Sequence, residues 1–208
     1  MANKKSTPLT ETPAYKLTNA IYRWFVVSLL WILCSFPLFT IGAATTAAIG
    51  EFSDPENYYS HKLIREYFRR FKRCFSKTTL IWLMVLALSL LLVLDVSFYR
   101  QFVGNGSWIF PAIMAVLGNL MLGIFRFSCY VASKMEACSV KSLVMQSVKL
   151  MLCCLPIWAV MVAMDLAMIT TFFRIPYLLF LIVLLPGIYS DIHSKLIGMF
   201  LKRFETEE

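Results

Sequence analysis

An all-α polytopic membrane protein is the fold class this sequence predicts, and three observations predict it. The 208 residues are 59% hydrophobic, with a mean hydropathy of +0.70, well above the roughly 45–50% apolar usage of soluble domains. Charged residues make up only 15%, and they cluster between apolar runs instead of interleaving with them. Those runs recur at about the 20-residue length with which a helix crosses a hydrocarbon core.

The same composition excludes other classes. A formal charge of +8 can mark a nucleic-acid binder, but in so apolar a chain it assigns lysine and arginine to the cytoplasmic membrane face and its anionic headgroups. The six cysteines, at 34, 74, 129, 138, 153 and 154, form no CxxC pair. They fit neither a disulfide framework nor a zinc site, and read as small apolar packing residues. No HExxH, GxSxG, phosphate loop or dinucleotide fingerprint occurs. His61 and His193 each stand alone. No catalytic set, cofactor or metal is therefore expected.

Residues 1–16 form a polar, proline-punctuated tail. The first apolar span runs from about 17 to 36, with Arg23 snorkelling near its start. Pro37 lacks an amide donor and disfavours helical geometry at Phe36, so the helix ends or kinks there. Thr40 is placed to cap a following helical piece. Gly42, Thr46 and Gly50, four apart, give that piece one small-residue face, which lets helix backbones approach closely. Packing inside the chain's own bundle competes there with docking of a partner helix.

After a turn signal at Asp54-Pro55-Glu56-Asn57 comes a basic aromatic segment. Ile64, Phe68, Phe71 and Phe75 stack on one side of a helix, and Arg65, Arg69, Lys72 and Arg73 fall mostly on the other. This pattern predicts an amphipathic helix on the cytoplasmic membrane surface, or a platform for a partner. Further spans are expected at about 79–98, 108–132, 150–172 and 177–192, with an acidic tail at 205–208.

Five spans place the termini on opposite sides. The positive-inside rule then puts the basic connection after the first span in the cytoplasm, the N-terminus outside and the C-terminus inside. A half-span at 40–50 is the alternative, and it returns the N-terminus to the cytoplasm. Within the spans, Asp95, Arg126 and Asp165 are candidates for function, because charge at membrane depth is costly. Asp95 and Asp165 are expected at the outer level with Arg100 and Arg174, and Arg126 at the opposite, inner side.

Leu30-Trp31 followed by Ser35-Phe36-Pro37-Leu38-Phe39-Thr40-Ile41-Gly42-Ala43-Ala44-Thr45-Thr46-Ala47-Ala48 resembles the "LW…SLPIITIGPATAAL" signature of the YesL (DUF624) family of bacterial integral membrane proteins. Tyr67-Phe68-Arg69-Arg70-Phe71-Lys72-Arg73-Cys74-Phe75 is similar to that family's "FWRSFKENF" segment. Leu185-Pro186-Gly187 and Phe200-Leu201-Lys202-Arg203-Phe204 resemble its C-terminal end, so the likeness covers about residues 17–204. Ala43 stands where the family often has proline.

The family has no established activity or catalytic residues. Its members tend to be encoded beside carbohydrate-uptake ABC transporters and glycan-degrading enzymes. The resemblance therefore implies a non-catalytic accessory subunit in the cell membrane, packed against permease subunits and linked through them to an ATPase or a solute-binding protein. The rival expectation is a small autonomous transporter or channel using Asp95, Arg126 and Asp165. A membrane enzyme acting on lipid or glycan carriers is the third and weakest reading.

Overall fold

The computed structural model describes residues 13–53, 63–103, 108–135, 139–174 and 184–205, and every regular element among them is helical. In chain order these are α1 (Pro13–Ser35), a single 3-10 turn (Leu38–Thr40), α2 (Ile41–Ser53), α3 (Leu63–Val103), α4 (Ile109–Lys134), α5 (Val140–Cys153), α6 (Leu155–Arg174) and α7 (Leu185–Glu205). Three helices, α1, α3 and α4, are long and apolar enough to cross a membrane. A fourth span is possible if α5 and α6, bent by 90° at their junction, count as one. Among the described residues there are thus three or four spans where five are expected over the chain. The expected 150–172 span is broken at Cys154, because Pro156 suits the first turn of a new helix and not the interior of a continuing one. Much of the 177–192 span lies outside the described residues.

The basic segment is not a separate surface helix. It is continuous with the second span in the 41-residue helix α3, which at 1.5 Å per residue is about 60 Å long. Such a helix crosses a ~30 Å hydrocarbon core and projects well beyond it.

Pro37 ends α1 as expected, but Thr40 works in the opposite sense from a cap. Its hydroxyl donates to the Pro37 carbonyl at 2.6 Å and to the Cys34 carbonyl, satisfying acceptors that the broken helix leaves behind. From across the bundle Trp82 Nε1 donates to the Leu38 carbonyl at 2.8 Å. The side chains of this turn face outwards: Phe36 is 90% exposed and Leu38 70%. Internally bonded backbone with apolar side chains outside is what a lipid environment demands of an irregular segment.

The chain then turns back. Arg23 donates to the Glu51 carbonyl at 2.9 Å, and Trp31 Nε1 donates to Thr45 at 3.1 Å, so α1 and α2 form an antiparallel hairpin. The hairpin brings the start of α1, the end of α2 and the start of α3 to one end of the bundle, called here the basic end. One expected side assignment changes with this return. The N-terminal end of α1 lies with the basic segment, as the half-span alternative has it, and not opposite. The first half of α7 runs to the same end, through Trp24 Nε1 donating to Asp191 at 2.9 Å and Ser53 with Ser194 at 2.9 Å.

Beyond Trp82, α3 continues about 20 residues, roughly 30 Å, with α4 antiparallel beside it. Gly118 of α4 faces the Leu92 side chain, and Tyr99 stacks on Phe110 with ring centroids 4.4 Å apart. The leucines of this hairpin, including Leu90, Leu91 and Leu94, are exposed. Surface so apolar needs lipid as its solvent. The larger core lies lower, where Phe127, Cys129, Leu143, Met161 and Ile197 are almost fully buried. A second cluster joins Val27, Ala47, Ala48 and Tyr67 around α2.

Candidate functional site

Three polar arrangements stand out, two buried and one exposed. The first surrounds the C-terminal end of α2. The Glu51 side chain is fully buried, and its carboxylate lies 3.7 Å from Arg70, itself almost fully buried. Arg23 binds the Glu51 carbonyl and stacks its guanidinium over Phe52 at 5.2 Å. Lys134 donates to the Ser53 carbonyl at 2.8 Å, and Arg73 donates to the Ser133 carbonyl, near the end of α4, at 3.1 Å. The last carbonyls of a helix are unsatisfied and carry its negative dipole end, so cations stabilise them there.

Gly50 makes room for this lattice. A Cβ at that position would lie 3.1 Å from Arg70 Nη1 and 3.2 Å from Ser133 Cβ. The composition of 51–60 suggests a polar connection starting at Glu51. Instead, Glu51 continues the buried face of Ala44, Ala47 and Ala48 by helical spacing.

The small-residue face is likewise spent inside the chain. A Cβ on Gly42 would meet the Thr78 carbonyl oxygen at 2.4 Å and Trp82 Cβ at 2.8 Å. Thr46 is fully buried, and its hydroxyl returns to the Gly42 carbonyl at 2.8 Å. The helices that approach this face are α3 and α4, so a partner helix has no access to it. The docking surface expected at Gly42, Thr46 and Gly50 is corrected on that ground.

The second arrangement joins α4, α6 and α7. Arg126 Nη1 lies 2.6 Å from Asp165 Oδ2, with both side chains largely buried. The Arg126 guanidinium also sits 5.4 Å over the Tyr189 ring. His193, one helical turn further along α7, is almost completely buried, with its ring centroid 6.3 Å from that of Tyr189 and 6.2 Å from that of Phe127. Arg126 is therefore not on the opposite side from Asp165. The bend at Cys154 displaces α6 from the register that a straight span would give it. Asp95 stays apart, exposed on α3, and among the described residues no ion pair reaches it. The sequence reading set His193 aside as a lone histidine and passed over Tyr189. Their four-residue spacing on one helical face was the available signal.

The third arrangement is the exposed side of the projecting half of α3. Leu63, Tyr67, Arg70, Cys74 and Thr78 form its buried face, with Tyr67 donating to the Ala44 carbonyl at 3.2 Å. Ile64, Arg65, Phe68, Arg69, Lys72 and Arg73 are exposed together, and Phe71 and Phe75 flank them half-buried. The expected separation of an aromatic side from a basic side does not hold. The four apolar residues are divided between the flank and the exposed face, because Tyr67 and Arg70 take the buried positions. Arg69 pairs with Glu66 on its own helix.

Residues 24–96 match the family model DUF624, described as a protein of unknown function. The chain carries a DUF624 region. That region runs from Trp24 on α1, through the Pro37 turn and the buried α2, to the upper part of α3. It therefore includes the charge lattice at Glu51, apart from Arg23, Ser133 and Lys134, and the whole exposed basic strip. Arg126, Asp165 and the α7 residues lie outside the DUF624 match. No curated protein matches the chain, and no solved structure does.

Proposed function

We propose that this DUF624 protein is a non-catalytic accessory subunit of a bacterial membrane complex, working beside a carbohydrate ABC transporter. The exposed strip of Arg65, Phe68, Arg69 and Lys72 carries this reading. It is a basic and aromatic surface on a helix that projects beyond the apolar hairpin, braced from behind by Tyr67, Arg70 and Cys74. The buried concentrations of charge are satisfied within the chain, as Arg126–Asp165 and Glu51–Arg70 are. Partner contact falls to the strip, because the small-residue face is filled. The basic end faces the cytoplasm, where lysine and arginine accumulate, so the partner surface is a cytoplasmic portion of the permease or its ATPase. The carbohydrate transporter itself enters through the family resemblance, an association and not a geometric argument.

The experiment is a mild-detergent pull-down of the full chain from native membranes, with identification by mass spectrometry. Permease or ATPase subunits are expected in stoichiometric yield. An R65E/R69E/K72E variant is expected to lose them about tenfold or more, since facing like charges cost several kcal/mol at an interface, while inserting normally. Recovery of the chain alone overturns the reading.

The Arg126–Asp165 pair beside Tyr189 and His193 favours a second reading, an autonomous transporter using that pair. It predicts flux in liposomes holding this protein alone, abolished by Asp165→Asn. No flux above empty liposomes removes it.

A further inference from the structure

A groove of about 580 Å³ lies between α3 and α5, lined by Met84, Val140, Lys141, Val144, Met145, Val148 and Lys149. Its arrangement follows from the sequence of α5. Val140, Val144 and Val148 recur every four residues and form one stripe, and Lys141, Met145 and Lys149 form the adjacent one. Lys141 and Lys149 are both exposed. They stand eight residues apart, about 12 Å along the axis, with the half-exposed Met145 between them.

α5 contains no acidic residue, and among the described residues no carboxylate pairs with either lysine. The floor opposite is Met84, on the apolar part of α3. An apolar trough in a membrane helix bundle, bordered along one edge by two cations, has the polarity of a lipid with a negatively charged head.

We propose that this groove is a binding site for an anionic glycerophospholipid. One acyl chain lies against Met84, Val144 and Val148, and the phosphate is held by Lys141 and Lys149. The flexible Met145 adapts to the chain and covers it. Long ammonium side chains at such a border reach the headgroup level while their stems cover apolar surface.

The test uses the full chain in detergent, stripped of lipid and titrated with phosphatidylglycerol or phosphatidylcholine of identical acyl chains, with bound lipid counted by native mass spectrometry. A basic residue near an anionic surface is worth roughly a factor of five, so the two lysines together should give phosphatidylglycerol at least a tenfold preference. K141Q/K149Q should remove that preference without changing elution or helicity, and K141R/K149R should keep most of it. Val144→Trp, which fills the trough, should weaken both lipids alike. Equal binding of the two lipids by the unmodified chain overturns the proposal. So does a preference that survives K141Q/K149Q, which would assign the lipid to another basic surface such as the strip at Arg65 and Arg69. This site stands or falls independently of the accessory role, because its titration involves no partner protein.

Discussion

Gly42→Leu is expected to leave little folded protein in the membrane. At this position α2 crosses α3 so closely that even a Cβ would lie 2.4 Å from the Thr78 carbonyl oxygen. That neighbour is backbone, fixed by the helix it belongs to, and Trp82 Cβ blocks the other side at 2.8 Å. A flexible side chain could move aside, but a helix backbone moves only as a whole, and α3 is held by α1, α2 and α4. Overpacking in a well-packed core typically costs 1–3 kcal/mol, and the loss here should exceed about 3 kcal/mol. Thermal unfolding in detergent and fluorescence-detected size exclusion would show it as aggregation or a collapsed yield. Gly118→Ala provides the contrast, since its Cβ would meet only the Leu92 side chain at 3.7 Å, and it should be nearly silent. Survival of Gly42→Leu as a normally eluting, fully stable protein would show that the α2–α3 contact is looser than described.

Glu51→Ala should be the second severe substitution. Arg70 is nearly as buried as the carboxylate it accompanies, and Arg23 is buried beside them. Breaking a buried pair from one side typically costs 3–5 kcal/mol, because the remaining charge keeps its desolvation penalty and loses its compensation. Glu51→Gln keeps the shape without the charge and should fall between Glu51→Ala and the unmodified protein. Glu66→Gln, which breaks a pair whose Arg69 side chain is 67% exposed, should cost clearly less, because the released guanidinium keeps its hydration. Chemical denaturation in detergent orders the three variants. A Glu51→Ala variant no less stable than Glu66→Gln would remove the lattice from the list of stabilising features.

The helical and membrane character of the chain was legible because both depend on composition and run length, which act locally. The break at Pro37 was legible for the same reason, since a missing amide and a ring clash need no tertiary context. What the small face at Gly42 and Gly50 touches was not legible. Spacing reveals that a face is narrow, but the identity of the approaching helix is decided by the return of α2, which no local signal specifies. Glu51 was misread because proximity to polar residues was weighed above its helical register with Ala44, Ala47 and Ala48. Arg126 and Asp165 were each recognised as costly, yet their pairing depends on the 90° bend before α6, and a straight-span assumption placed them at opposite depths. The strip at Arg65 to Arg73 was found as a surface. Its wrong division into two sides came from expecting the helix to lie on the membrane surface, whereas it packs on the bundle through Tyr67 and Arg70.

The turn at Phe36–Phe39 also bears on how the chain enters the bilayer. A first span that crossed completely would require the polar, lysine-bearing tail ahead of it to be carried through hydrocarbon. A hairpin of α1 and α2 that descends and returns removes that requirement. The Arg23 end of α1 and the cation-rich start of α3 then stay together at one end of the bundle. Between Arg23 and Glu51, what must be inserted is then an uncharged stretch, residues 24–50, whose Pro37 carbonyl is engaged by Thr40 and, once α3 follows, whose Leu38 carbonyl is engaged by Trp82. Insertion of the first third of the protein thus depends on the second, because the tip is fully satisfied only when α3 has arrived beside it.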